Sequence, residues 1–151
     1  MKTYGIRISD GKGEVLSPTL RDILEEINVG ISFTWSILFL DGTPNPGEGT
    51  FLIDYEKKIN DSKNGLVLSL EELKNLSGKF FQMFETTILG SYNSNLLHRY
   101  EEEKAMYRAC DVVIELIDCA FWEVYAKDIK VIEKLQERFK ETELLDLDIT
   151  I

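Results

Sequence analysis

His98, Cys110 and Cys119 are the only imidazole and thiol side chains in the chain, so nucleophilic or soft-metal chemistry would have to be built from them. A catalytic imidazole works with a neighbour that orients it, and a two-histidine zinc motif needs a second ring. One histidine supplies neither. The two cysteines form no CxxC pair and instead flank an apolar run. In a chain that shows no secretory leader, such thiols read as reduced and buried. His98 with Cys110 or Cys119 is the thiol–imidazole pair left open, and no flanking signature of a cysteine nucleophile accompanies it.

Carboxylates are the other chemical resource. Asp54 with Glu56, Asp111 with Glu115, and Glu115 with Asp118 are close in sequence, as chance dictates when 27 acids share 151 positions. Glu115 stands out because it interrupts the apolar run Val112 to Ile117 and shares a strand face with Val113 and Ile117. A buried carboxylate there would need a partner or would hold its proton to higher pH. An antiparallel sheet often leaves one face wet, so the expectation is that Glu115 faces solvent. Gly11-Lys12-Gly13 lacks the spacing and the following Ser or Thr of a phosphate loop, and neither GxSxG nor GxGxxG occurs. The sequence therefore predicts no catalytic residue, no metal and no cofactor. The enzymatic alternative is a small hydrolase or transferase using carboxylates with His98 or a cysteine.

Charge says more than motif. With 17 Lys and Arg the chain carries −10, a field that repels phosphate backbones and anionic membranes and attracts basic proteins. Nucleic acid and membrane are not expected partners; a basic protein is. The densest acidic run is Glu101-Glu102-Glu103, with Arg99 and Lys104 beside it. Tyr92, Tyr100, Tyr107 and Trp122 are candidate anchors for a docking surface, Tyr100 and Trp122 foremost, since Tyr and Trp are enriched at binding hot spots. No segment has the roughly 18 apolar residues that span a bilayer. The expected location is the cytoplasm.

The elements that would position these groups follow from pattern and punctuation. At 151 residues one core suffices, and residues 1–151 read as a single domain. Tyr4, Ile6 and Ile8 alternate as a first strand. Ser17 and Pro18 read as the cap and first residue of a helix with Leu20, Ile23, Leu24 and Ile27 on its stripe, ended by Asn28 and Gly30. Ile31, Phe33, Trp35, Ile37 and Phe39 alternate on one face of the clearest strand, followed by a loop over Asp41 to Gly49. Thr50 to Tyr55 reads as the returning strand of a hairpin and Glu56 to Gly65 as a surface loop. Leu66 to Leu68 is a very short strand. Ser69 and Glu72 form a capping box that opens a helix ending near Gly78, and Lys79 to Leu89 returns to strand. Leu96 to Arg108 reads as a helix. Asp111 to Asp118 and Phe121 to Ala126 read as strands around a tight connection. Asp128 caps a helix with Ile129, Ile132, Leu135, Gln136 and Phe139 on its face, and Leu145, Leu147, Ile149 and Ile151 alternate as a final strand. Strands and helices intersperse without a βαβ rhythm. That predicts an α+β fold, a mainly antiparallel sheet with helices packed on one face.

Several of these pieces, in this order, resemble a small bacterial family classed as a domain of unknown function. They are Gly5-Ile6-Arg7-Ile8, Asp22-Ile23-Leu24, Phe33-Thr34-Trp35, Phe80-Phe81-Gln82-Met83, the run Cys110 to Asp118, Trp122-Glu123-Val124-Tyr125 and Lys127-Asp128. The resemblance implies no activity and carries over no functional residues. In general type the chain is also similar to immunity proteins of bacterial toxin systems, which are small, acidic, cytoplasmic α+β proteins. That likeness implies a non-enzymatic protein-binding module occluding a basic toxin; the acidic run and its aromatic anchors, rather than the likeness, supply Glu101, Glu102, Glu103, Tyr100 and Trp122 as the expected docking residues. A third expectation is a homo-oligomeric structural protein joined through an edge such as Leu145–Ile151.

Overall fold

A computed structural model of the chain describes residues 2–12, 15–27 and 32–147. Its frame is one seven-stranded sheet in which every neighbouring pair is antiparallel, in the order β5-β4-β6-β7-β8-β1-β9. The strands are β1 (Tyr4–Ile8), β4 (Thr34–Pro44), β5 (Leu66–Leu68), β6 (Phe80–Ser91), β7 (Val112–Ile117), β8 (Phe121–Ala126) and β9 (Thr142–Leu145). A separate ribbon joins β2 (Gly11–Lys12) to β3 (Val15–Leu16). The helices are α1 (Leu20–Glu25), α2 (Gly49–Asp61), α3 (Leu70–Ser77), α4 (Glu103–Ala109) and α5 (Ile129–Arg138). The expected α+β fold with an antiparallel sheet is what the chain forms.

Period-two alternation sends successive side chains to opposite faces of a strand, and here both faces find apolar cover. Ile6, Ile8, Trp35, Ile37, Ile88, Ile114, Trp122 and Val124 point to the first face. There they meet Leu20, Ile23 and Leu24 of α1, Ile59 of α2, Leu73 and Leu76 of α3, and Ile132 and Leu135 of α5. Trp35 lies flat across Gly90, where a Cβ would come within 2.8 Å of its ring. The alternate residues Leu38, Leu89, Val113 and Tyr125 gather on the second face with Met106 and Tyr107 of α4. Four helices therefore share one face, as expected, and the short α4 takes the other.

Local structure departs from the sequence reading in definite places. α1 is capped by Thr19, in a capping box with Asp22, two residues beyond Ser17. The strand through Trp35 runs on to Pro44 and carries a bulge between Ile37 and Phe39. An extra residue in one strand reverses the alternation beyond it. Leu40 consequently joins the first-face core, while Phe39 leaves it for the second face and stays 44% exposed. Residues 49–61 form a helix rather than a returning strand and loop: Leu52, Tyr55 and Ile59 make a helical stripe whose buried members are Leu52 and Ile59. Only the last part of 96–108 is helical. Ser94–Leu96 is a single 3-10 turn and α4 starts at Glu103. On α5 the buried residues are Val131, Ile132 and Leu135, with Ile129 exposed. Ile31, Ile149 and Ile151 lie outside the described residues.

Candidate functional site

The second face of the sheet carries a polar row that the register sets out strand by strand. Phe39 of β4 stands opposite Thr87 of β6, Thr87 opposite Glu115 of β7, Glu115 opposite Glu123 of β8, Glu123 opposite Arg7 of β1, and Arg7 opposite Glu143 of β9. Two glutamates directly opposite each other repel, so each needs its own partners. Glu123, 6% exposed, has them in full. Its Oε2 accepts from Nε and Nη2 of Arg7 at 2.9 and 2.6 Å, and its Oε1 accepts from the Tyr125 hydroxyl at 2.5 Å. The Arg7 guanidinium also lies over the Phe121 ring at 4.2 Å. Glu115, 9% exposed, accepts from the Tyr107 hydroxyl at 2.5 Å. Tyr107 and Tyr125 stack with centroids 3.8 Å apart, over room that Gly5 leaves opposite Tyr125.

Burial is the main reason Glu115 holds its proton to higher pH than an ordinary glutamate. The Tyr107 hydrogen bond opposes that shift, and the charges of Glu103 and Glu123 add to it. Burial, and then a hydrogen bond to a carboxylate, pushes both Tyr107 and Tyr125 far above the ordinary phenol range. Both hydroxyls stay protonated as donors and are unsuited to act as bases. The row thus holds one carboxylate locked in an ion pair beside another that has only hydroxyl donors for support.

α4 covers this face only in part. Two adjoining hollows, about 390 and 410 Å³, share Phe39 and Thr87 and together form a groove. One end is lined by Leu38, Asn60, Arg99, Tyr100 and Met106, and the other by Glu85, Glu103, Tyr107, Glu115 and Ile117. The segment before α4 is fastened over the first end. Arg99 donates to the carbonyls of Leu38 and Ile59, each at 2.8 Å, which also satisfies the bulge carbonyl of β4. Tyr100 donates to the Leu96 carbonyl at 2.6 Å and stacks on His98 at 4.1 Å. Below the groove's other end, Glu85 holds its proton to higher pH, first through a hydrogen bond with Asp118, then through burial and the charges of Asp118 and Asp41.

The residues singled out from sequence separate here. Glu101, Glu102 and Glu103 are exposed, ahead of and within the first turn of α4; Glu103 lines one end of the groove, half-buried Tyr100 lines the other, and Glu101 and Glu102 lie on the chain between them. Trp122 is elsewhere: it is 2% exposed in the first-face core, and its indole N–H donates to the Pro18 carbonyl at 2.9 Å. Enclosed between the sheet and the chain before α1, on the face opposite Glu103, the ring is not part of a docking surface at Glu101, Glu102 and Glu103. Glu115 is buried rather than solvated, because α4 lies over it. Phe39, Arg7, Glu123 and Tyr125 were not read as site residues from the sequence, although the short β7–β8 connection already sets Glu123 opposite Glu115.

The thiols sit apart from the groove. Cys110 is fully buried, donates to the Leu96 carbonyl at 3.6 Å, and has its pKa pushed up to about 11, chiefly by burial. Cys119 occupies the β7–β8 turn with φ of 58°, held by its N–H to the Phe84 carbonyl at 2.9 Å. Its thiol is raised by burial and by Asp118, Asp41 and Glu85. It borders a separate hollow of about 200 Å³ with Phe80, Phe81, Met83 and Trp122, with no carboxylate or imidazole among the described residues of its walls. Among the described residues no group of three or more His, Cys, Asp and Glu could hold a metal ion, and no helix is long and apolar enough to cross a membrane. No protein-family model, curated protein or solved structure matches the chain.

Proposed function

We propose that this protein is a non-enzymatic, acidic binding module for a basic protein, and in particular an immunity protein that occludes a basic toxin surface in the cytoplasm. The observation that carries this reading is the run Glu101-Glu102-Glu103. Three consecutive exposed acids join Tyr100 at one end of the groove to α4, whose Glu103 lines the other end, on a segment that Arg99 fastens to β4 and α2. Fastening before association reduces the ordering cost of binding. Charge of one sign on that run steers a basic partner and rejects acidic ones.

The reading is tested on association kinetics. The partner is taken from the source cell by cross-linking and purified, and its on-rate is measured from low salt to physiological salt, where screening sets in over about 8 Å. Joint replacement Glu101→Gln and Glu102→Gln should slow association at low salt and leave dissociation and Tm nearly unchanged. An on-rate that ignores both the replacement and the salt would remove the run from any docking role.

A further inference from the structure

We infer that the uncovered part of the second sheet face is the seat of an arginine side chain presented by the basic partner, its guanidinium stacked on Phe39 and bonded to Glu115 and Glu103. The inference rests on the binding-module reading and specifies what that module grips.

Charge is unbalanced along the polar row, and the imbalance is local. Glu123 has its cation in Arg7. Among the described residues, Glu85, Glu103 and Glu115 enter no ion pair, although all three line the same hollow. The one cation among the described residues lining the groove, Arg99, has its guanidinium engaged by two backbone carbonyls. A buried carboxylate supported only by hydroxyls is the side of the row that a cation from outside would complete.

Shape selects the kind of cation. The bulge in β4 turns Phe39 out of the core and leaves its ring half-exposed between the two hollows. An exposed ring beside carboxylates favours a guanidinium over an ammonium, because the planar group stacks and forks at once. The same row already contains that arrangement: Arg7 lies over Phe121 and bonds Glu123. Phe39 with Glu115 and Glu103 presents the same kind of ring and acid with the arginine left out. A guanidinium there would also stabilise the charged form of Glu115. Glu103 and Tyr107 of α4, Glu123 and Tyr125 of β8, and Glu85 of β6 are the titratable groups around that carboxylate.

The test uses the full chain, ¹⁵N-labelled, titrated with Nα-acetyl-arginine amide, its lysine counterpart and neutral citrulline, and followed by NMR shifts. Arginine should saturate shifts centred on Phe39, Thr87, Tyr107 and Glu115, lysine should bind more weakly, and citrulline should leave them unmoved. Glu115→Gln should weaken arginine about tenfold, as expected for one charge-assisted hydrogen bond. Glu103→Gln, at an exposed position, gives a second reading if the buried variant folds poorly. Shifts spread evenly over the acidic surface, or equal shifts with citrulline, would overturn the seat. A partner whose association depends on Glu101 and Glu102 while arginine ignores the groove would also overturn it, with the module reading intact. Arginine filling the groove while no partner senses the acidic run would uphold the seat and sink the run as a docking surface.

Discussion

The two faces of the sheet are built from the same strands and do opposite things with their side chains. On the first face, Trp35, Ile88, Ile114 and Trp122 are sealed beneath four helices. On the second, one short helix lowers Tyr107 onto a row in which Glu115, Glu123, Tyr125 and Arg7 replace hydrocarbon. One residue of register separates the two, so a strand such as β7 supplies Ile114 to a dry core and Glu115 to a polar one. The lesson is that a hydrophobic run does not say which of its residues meet apolar cover and which meet hydroxyls. The packing element, here α4, decides that.

The largest test of the contrast lies on the first face. Trp35→Ala should lower stability by about 3–5 kcal/mol in urea unfolding at unchanged m-value, the usual cost of emptying a large core site. Wild-type stability for that variant would mean the face is not a sealed core. Next comes the polar row. Glu123→Ala strands the Tyr125 hydroxyl and removes the Arg7 partner, and should cost about 1–3 kcal/mol. A loss within experimental error would reduce the row to decoration on a fold held by the first face alone.

A smaller effect separates the two glutamates. The folded state raises the pKa of Glu115, so it binds that proton more tightly than the unfolded chain does. Stability should therefore fall as pH rises from the ordinary glutamate range through the raised native value, and level off above it. Glu115→Gln carries no such titration and can still accept from Tyr107. Its Tm relative to wild type should climb over that same window and stay constant beyond it. A difference that does not vary with pH would show that Glu115 ionises normally despite its burial. The smallest effect belongs to Phe39. Phe39→Ala should change stability by no more than about 0.5 kcal/mol, as expected for a half-exposed residue outside a core. A loss on the scale of Trp35→Ala would return Phe39 to the core and close the groove.

What the sequence revealed follows the range of the interactions involved. The Ser69–Glu72 box and the Asp128 cap are bonds between near neighbours, and both form as the pattern indicates. The β7–β8 hairpin is equally local. The segment before α4 is different, because its path is fixed by Arg99 reaching carbonyls far away in sequence on β4 and α2. Helical pattern in residues 96–108 could not register that competition. The β4 bulge is likewise invisible to alternation, and it alone explains why Phe39 is a groove residue. In α2, Leu52 and Ile59 mark the helix, but reading residues 50–55 and 56–65 as separate units split the stripe. The acidic run was legible because its charge is written in the residues themselves, and three adjacent acids stay in water unless each finds a partner. The groove beside it was not, because it is made by a register shift and a distant guanidinium.

The place of β1 has a consequence for how the chain is made. Tyr4 pairs with Ala126 and Gly5 with Leu145, so the first strand is flanked on both sides by strands from the far end of the sequence. During synthesis from the N-terminus, β4, β5 and β6 can meet their neighbours early, whereas β1 has none until β8 has been made. Ile6 and Ile8, bare in that interval, are the stretch most in need of shelter as the polypeptide leaves the ribosome. Slow translation between β6 and β8 would lengthen that exposure, and the hairpin of β7 and β8 is the step that ends it.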